Sequence, residues 1–232
     1  MVNNWINIIQ NYCLPPTCLF CNEASLSTRD LCSACQQALP RNNSCCIRCA
    51  KPIDQIHNAT ICGHCLNAPP YFKSTLAPFL YQRTMRYAIQ AFKYHNQYHF
   101  ARLLGELLSD EIKTENTLPQ LLIPVPLHRS RYRERGFNQA YEIAKIISHR
   151  RNIAVDNHSF QRQRQTDYQS HLKANLRHKN IKNAFICTQT ITASHVAIID
   201  DVMTTGNTVN EFARLLKTTG VEHIEIWVCA RA

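Results

Sequence analysis

The run Val196-Ala197-Ile198-Ile199 ends in two adjacent carboxylates, Asp200 and Asp201, followed by Val202-Met203-Thr204-Thr205-Gly206-Asn207-Thr208. No other segment narrows the possible folds so far. An unbroken apolar run is the pattern of a strand buried on both faces of a parallel sheet. The small hydroxyl residues and the glycine after it predict a tight loop, and Glu211, Phe212, Leu215 and Leu216 read as a following helix. Strand, small-residue loop and helix start together make an anion site, because unpaired backbone N–H groups and the helix dipole both favour a phosphate there. Asp200 and Asp201 add two acceptors beside it. A phosphate flanked by hydroxyl-seeking carboxylates describes a ribose 5-phosphate. The alternative is a strand that merely ends in a polar turn, which gives the two acids no structural use.

The other end of the chain obeys different rules. Ten of the 12 cysteines lie before residue 66, and eight of them form four Cys-x-x-Cys pairs: Cys18/Cys21, Cys32/Cys35, Cys46/Cys49 and Cys62/Cys65. Two intervening residues let both sulfurs of a knuckle face one tetrahedral metal, so two four-cysteine zinc sites are expected. A disulfide framework fits poorly, because the first twelve residues lack the basic start and long apolar centre of a secretory signal and cytosolic thiols stay reduced. One Cys-x-x-Cys alone could be a redox pair; four in tandem argue against that. Neighbouring pairs give sites 18/21/32/35 and 46/49/62/65, whereas an interleaved cross-brace pairs the first with the third; the nearly equal gaps leave both open. With four sulfurs per site no position remains for an activated water, so the zinc is expected to be structural. A segment of about 60 residues rarely folds on its own apolar burial. Arg48, Lys51 and His64 are candidates to offset the thiolate charge. Cys13 and Cys45 have no partner at ligand spacing, and Cys187 and Cys229 read as core thiols.

The net charge of +10 is unevenly placed. Residues 1–70 carry 4 basic and 3 acidic side chains, whereas residues 129–182 carry 13 basic and 4 acidic. Such a concentration points to a polyanionic ligand, pyrophosphate or nucleic acid, against the plainer reading of a solvated basic face. Its densest part is His128, Arg129, Arg131, Arg133 and Arg135, ahead of Gly136. Arginines two apart on an extended loop would share one side and bind anions through their planar forks. Residues 162–185, with Arg162, Arg164, Thr166, Gln169, Arg177 and Asn180, show little apolar periodicity before Leu172. They read as a lid that an anionic ligand orders, or as a plain surface loop.

Between these parts, residues 74–81 predict a strand broken at Pro78, and residues 83–94 a helix. A second helix around Leu103–Leu108 runs to about Lys113, a buried strand starts at Leu121, and a helix follows Gly136. No apolar run approaches the roughly 20 residues of a membrane span, so a cytoplasmic protein is expected.

The segment from Ile198 to Thr208 resembles the phosphoribosyl pyrophosphate (PRPP) loop of type I phosphoribosyltransferases. Together with the Cys-x-x-Cys head, Phe92-Lys93-Tyr94, Pro124-Val125-Pro126-Leu127-His128, Arg133 to Gln139, Thr166-x-x-Gln169-x-x-Leu172 and Arg177-x-x-Asn180, the chain resembles the ComF family of competence proteins (ComFC-like, related to the GntX proteins). The resemblance implies an α/β fold, a type I phosphoribosyltransferase-like parallel sheet flanked by helices over 71–232, with a small four-cysteine double zinc ribbon over 1–70. It implies that Asp200 and Asp201 hold the ribose hydroxyls and that Val202, Met203, Thr204, Thr205, Gly206, Asn207 and Thr208 wrap the 5-phosphate. Pyrophosphate or a DNA backbone would meet the 128–135 segment, and Mg2+ would arrive on PRPP rather than in a protein cage. The family's association with natural transformation implies handling of single-stranded DNA, with Tyr132, Phe137, Tyr141 and Tyr168 available for stacking. Two rival readings remain: an active phosphoribosyltransferase with an unidentified acceptor, and an adaptor whose zinc head docks a helicase-like motor of DNA uptake. Where the family has glycine after the third knuckle this chain has Ala50, which loads the turn at Cys49.

Overall fold

The computed structural model describes residues 16–25, 29–53, 60–94, 97–113, 117–164 and 181–232. Its strands are β1 (Ser74–Leu76), β2 (Phe79–Leu80), β3 (Leu121–Pro124), β4 (Ala154–Val155), β5 (Phe160–Arg162), β6 (Phe185–Cys187), β7 (His195–Met203) and β8 (His223–Arg231). The helices are α1 (Ser33–Gln37), α2 (Gly63–Asn67), α3 (Arg83–Tyr94), α4 (His99–Asp110), α5 (Arg129–Arg135), α6 (Gln139–Arg151) and α7 (Asn207–Thr218). Six strands form one parallel sheet in the order β1-β8-β7-β3-β4, with β2 also on β8; β5 and β6 make a separate antiparallel ribbon. The strand expected to break at Pro78 is β1 and β2, both laid along β8.

The apolar run at 196–199 is the centre of this sheet, all four side chains buried. Strand alternation divides the run between two layers. Ala197 and Ile199 face a core made by α3, α4 and α6 (Phe92, Leu104, Ile143). Val196 and Ile198 face a core made by α7 and the β5–β6 ribbon (Phe212, Phe160, Phe185). In the first layer α4 and α6 meet at Gly105, where an added Cβ would lie 2.6 Å from Ile146 Cβ.

Each layer carries its own part of the cysteine head. Cys18, Leu31 and Leu39 belong to the α3–α4–α6 core. Cys46, Cys49, Ala50 and Cys65 belong to the α7 core. The second cysteine cluster is further stitched to the connection between β1 and β2 by Asn42 Nδ2, which donates to Ala50 O and Ala77 O, both at 3.0 Å.

Three expectations are corrected. The arginines at 129–135 lie on a helix, not an extended loop: His128 Nδ1 accepts from Ser130 N at the start, and Gly136, at φ 78°, ends it. At about 100° per residue, alternate arginines fall on opposite sides of the helix rather than in one row. Val202 and Met203 continue β7, paired with Ala230 and Arg231, so the loop proper is only residues 204–206. Cys187 is half-exposed, its thiol donating to Gln189 O at 3.0 Å, because β6 lies in the outer ribbon; Cys229 is a core thiol as expected.

Candidate functional site

Asp200 and Asp201 sit near the C-terminal end of β7, the edge at which open parallel sheets bind ligands. Asp201 follows Ile199 in the alternation and faces the α3–α4 layer, where Lys93 Nζ, near the end of α3, pairs with its Oδ2 at 2.6 Å. Both side chains are largely buried. Asp201 Oδ1 accepts from Val202 N at 2.8 Å, and Asp200 Oδ1 from Asp201 N at 2.9 Å, so each carboxylate is aimed by the backbone. Burial and the neighbouring charge of Asp201 push the Asp200 carboxyl up to about 7, against the opposing pull of Lys93. The pair therefore carries less than two full negative charges near neutrality and has a lysine counter-ion. Beside it on β8, burial and the two carboxylates raise the Cys229 thiol, leaving it inert.

The chain then turns through Thr204 and Thr205 to Gly206, at φ 81°. A Cβ on Gly206 would come within 2.6 Å of Met203 Cε, the movable end of a flexible side chain, so it is the left-handed conformation that calls for glycine. Gly206 is the N-cap of α7 and supplies no side-chain cap, leaving the first turn of a 12-residue helix to attract an anion. Beneath the loop lies Arg231, 7% exposed. Its guanidinium donates to Met203 O at 3.0 Å, to Thr204 O and Ala232 O, and through Nε to Cys49 O at 2.9 Å. Burial lowers its pKa, and the thiols of Cys49, Cys62 and Cys65 oppose that.

The basic helix α5 spreads its charge. Arg131 pairs with Glu134 at 3.0 Å, whereas Arg129 and Arg133 are exposed. Arg135 bonds Gln139 Oε1 at 3.0 Å and lies over the Tyr94 ring, 5.1 Å from its centroid. Tyr98 packs against Phe137 with the rings tilted by 50° and centroids 4.6 Å apart. Phe137 is a core residue, Tyr141 is half-buried, and Tyr94, Tyr98 and Tyr132 are each at least half-exposed. Exposed aromatics and arginines thus share the surface around α5 and the end of α3. Arg162 lies in the β5–β6 ribbon with its guanidinium over Phe185, and Arg164 donates to Lys182 O. Thr166, Tyr168, Gln169, Leu172, Arg177 and Asn180 lie outside the described residues.

The cysteines gather as two clusters, Cys18/Cys21/Cys32/Cys35 and Cys46/Cys49/Cys62/Cys65, each with its sulfurs within 4.8 Å of one another. The pairing is sequential, not interleaved. Cys21 and Cys32 sulfurs are 3.7 Å apart, and Cys49 and Cys62 sulfurs 3.6 Å. A tetrahedron of sulfurs about 2.3 Å from zinc has edges of roughly 3.8 Å, so the sets fit structural zinc and are too open for disulfides. Burial opposes ionisation of Cys18 and Cys46, but backbone amides donating to their sulfurs bring them down to about 6 and about 7. Of the cations expected near the thiolates, Arg48 instead donates to Cys65 O at 3.0 Å. Ala50 takes the left-handed turn at φ 52°.

Sequence reasoning assigned no role to Lys93 or Arg231. A signal existed for Arg231: a lone cation closing the apolar run Ile226-Trp227-Val228-Cys229-Ala230 needs a buried partner. For Lys93 no local pattern announces a partner 108 positions away in the chain.

Comparison with known proteins agrees with this geometry. A family model described as double zinc ribbon domain matches residues 9–66, and one described as phosphoribosyl transferase domain matches residues 133–232. The chain is 33% identical to the DNA utilization protein YhgH of Salmonella typhi, over 94% of this chain and 98% of that one. It is 34% identical to Competence protein F of Haemophilus influenzae, over 93% and 96% of the two chains. To Competence protein ComFC of Bacillus subtilis it is 24% identical, over 82% and 79%. Among solved structures it resembles glutamine PRPP amidotransferase from B. subtilis with a TM-score of 0.36 and 14% identity, over 55% of this chain and 25% of that chain, a likeness too slight to build on. The chain belongs to the ComF family of competence and DNA utilization proteins, which joins a double zinc ribbon to a phosphoribosyltransferase domain.

Proposed function

We propose that this protein is a cytoplasmic competence factor that handles incoming single-stranded DNA, and that its phosphoribosyltransferase-type domain, residues 71–232, holds a phosphoribosyl ligand such as Mg-PRPP beside the zinc head of residues 1–70. The observation that carries the ligand reading is the junction of β7 and α7: two backbone-aimed carboxylates, a glycine-turned loop and a helix start without a side-chain cap. Asp200 and Asp201 take the ribose hydroxyls and residues 204–208 the 5-phosphate. Mg2+, carried by the ligand, offsets the pyrophosphate charge. His128, Arg129, Arg131, Arg133 and Arg135 offer cations for pyrophosphate or a DNA backbone, and Arg162 and Arg164 begin the lid.

Support for the DNA reading comes from the names of the relatives and from the mixed surface of Tyr94, Tyr98, Tyr132 and the α5 arginines. Bases stack on such rings whatever their sequence, and arginines track the backbone. The Lys93–Asp201 pair also softens the repulsion that two bare carboxylates would exert on a nucleic-acid phosphate. No helix among the described residues is long and apolar enough to cross a membrane.

Calorimetry with Mg-PRPP tests the ligand site. Wild type is expected to give a binding heat that Asp200→Asn/Asp201→Asn loses; silence from both ends the ribose reading. Anisotropy with a labelled oligothymidylate tests the DNA surface. Binding should fall with salt, and Arg129→Glu/Arg133→Glu should flatten that dependence by about 0.7 per lost phosphate contact. A second reading, the zinc head as a docking element for a helicase-like motor, draws on Ile47 and Leu66, both more than half exposed on the second ribbon. Ile47→Asp/Leu66→Asp would then lower transformation while leaving oligonucleotide binding intact.

A further inference from the structure

We propose that Arg231 is a positioning residue through which the metal-loaded second cysteine cluster holds the phosphate loop in its binding conformation. The inference rests on the reading of residues 204–208 as that loop, and it gives the second zinc a part in ligand binding beyond holding its own knuckles together.

The coupling follows from what one buried guanidinium touches. Cys49 is a metal ligand, and its carbonyl accepts from Arg231 Nε at 2.9 Å. Met203 and Thr204 are the last strand residue and the first loop residue, and both their carbonyls accept from Arg231 Nη1. A planar fork joins these carbonyls in one rigid geometry, which a flexible ammonium does not reproduce. The knuckle end of this link is itself fixed. Ile47 O and Arg48 O accept from Thr75 N at 3.0 Å and Thr75 Oγ1 at 2.5 Å, and Ala50 O accepts from Asn42. Ala50 sits in the left-handed region, which a residue with a Cβ holds only under constraint. Four thiolates on one divalent ion leave a net charge of about minus two, and this is the counter-charge that lets a guanidinium stay buried. Without metal the knuckle loses both its shape and that charge, and Arg231 loses its anchor.

The first cluster has no comparable route among the described residues. Its neighbourhood runs to α4, where Arg29 meets Glu106 and Asp110. The two zinc sites therefore differ in a way that can be measured.

Hydrogen exchange on the full-length, zinc-loaded protein tests this. The amides of Thr205, Asn207 and Thr208 are followed in wild type, Arg231→Gln, Cys62→Ser, Cys21→Ser and the Arg231→Gln/Cys62→Ser double variant. Arg231→Gln and Cys62→Ser are each expected to speed loop exchange about tenfold, within the usual range of coupling between sites. The double variant should be no faster than either single one, because both cut the same link. Cys21→Ser should leave the loop at the wild-type rate. Unchanged loop exchange in Arg231→Gln, or effects that add in the double variant, overturn the proposal. Should Arg231→Gln fail to fold, Cys62→Ser against Cys21→Ser decides alone, and equal loop exchange in those two refutes it. Mg-PRPP calorimetry on the same proteins reports separately. If wild type binds no PRPP the ribose reading falls, while the exchange data still decide the coupling.

Discussion

The two faces of the central sheet are built alike and used differently. Each packs helices on the β7–β8 pair, and each is closed by one zinc ribbon. On the α3–α4–α6 face, Cys18 and Leu31 complete a hydrophobic core, and the face contributes a charge, Lys93, to Asp201. On the α7 face, Cys46, Cys49 and Cys65 likewise join the core, and the face contributes the loop itself, tied back to Cys49 O by Arg231. Both ribbons join a core, but among the described residues only the second also bonds to the end of β8 and, through it, to the loop after β7. The same Cys-x-x-Cys chemistry serves both, so the difference lies in what each ribbon packs against.

The strongest test of this contrast is removal of both metals. Structural zinc contributes on the order of 10–16 kcal/mol in small metal-binding peptides. A chelator should release two zinc ions per chain and unfold residues 13–66, uncovering both cores. Zinc release with a colorimetric indicator and the near-ultraviolet dichroism of the same sample check it; a folded, metal-free head would show that apolar packing alone holds the ribbons.

How far the sequence foretold these two faces depends on how local the cause is. The Cys-x-x-Cys spacing is a local geometric requirement, and the sulfurs gather as it implies, with the sequential pairing that spacing left open. The parallel strand at 196–199 was legible for the same reason: burial on both faces demands an unbroken apolar run. The α5 arginines were misread because period two in the sequence looks extended, while a histidine N-cap and a left-handed glycine make a helix of the segment. Lys93 and Arg231 were out of reach because their partners come from other elements. A buried charge announces that it needs a counter-charge, not which one.

Breaking the Lys93–Asp201 pair should give the next largest effect, and it acts on the α3 face. In Asp201→Asn the amide oxygen can still accept from Val202 N, but Lys93 keeps its charge in a largely buried place without its anion. Loss of one partner of a buried pair costs about 3–5 kcal/mol. The lysine retains some solvent contact, so we expect about 3 kcal/mol in urea unfolding. The double variant Lys93→Met/Asp201→Asn should recover part of it.

Gly105→Ala probes the same face away from any charge. The added methyl falls against Ile146, and overpacking of this kind costs about 1–3 kcal/mol. We expect about 2 kcal/mol, with zinc content and Mg-PRPP heat unchanged. A change in PRPP affinity here would show that the α3–α4–α6 layer does more for the site than supply Lys93.

Asp200→Asn should give the smallest effect and the opposite sign, because Asp200 follows Ile198 in the alternation and faces the α7 layer. Burial and Asp201 raise its carboxyl from the ordinary 3.8 to about 7. Between those values the folded chain binds more proton at this position than the unfolded chain, so wild-type stability falls as pH rises from about 4 to about 7. An asparagine does not titrate, and its oxygen can still accept from Asp201 N. Near pH 4 the two proteins should therefore be equally stable. At pH 8 the variant should be ahead by about 1–2 kcal/mol, well below the full shift because Asp200 keeps some solvent contact. For a chain of this length that is a few degrees in Tm. Thermal unfolding of both proteins across this range measures the difference. A gap that stays constant with pH would mean that Asp200 is already ionised throughout, and that the α7 face compensates its carboxylate.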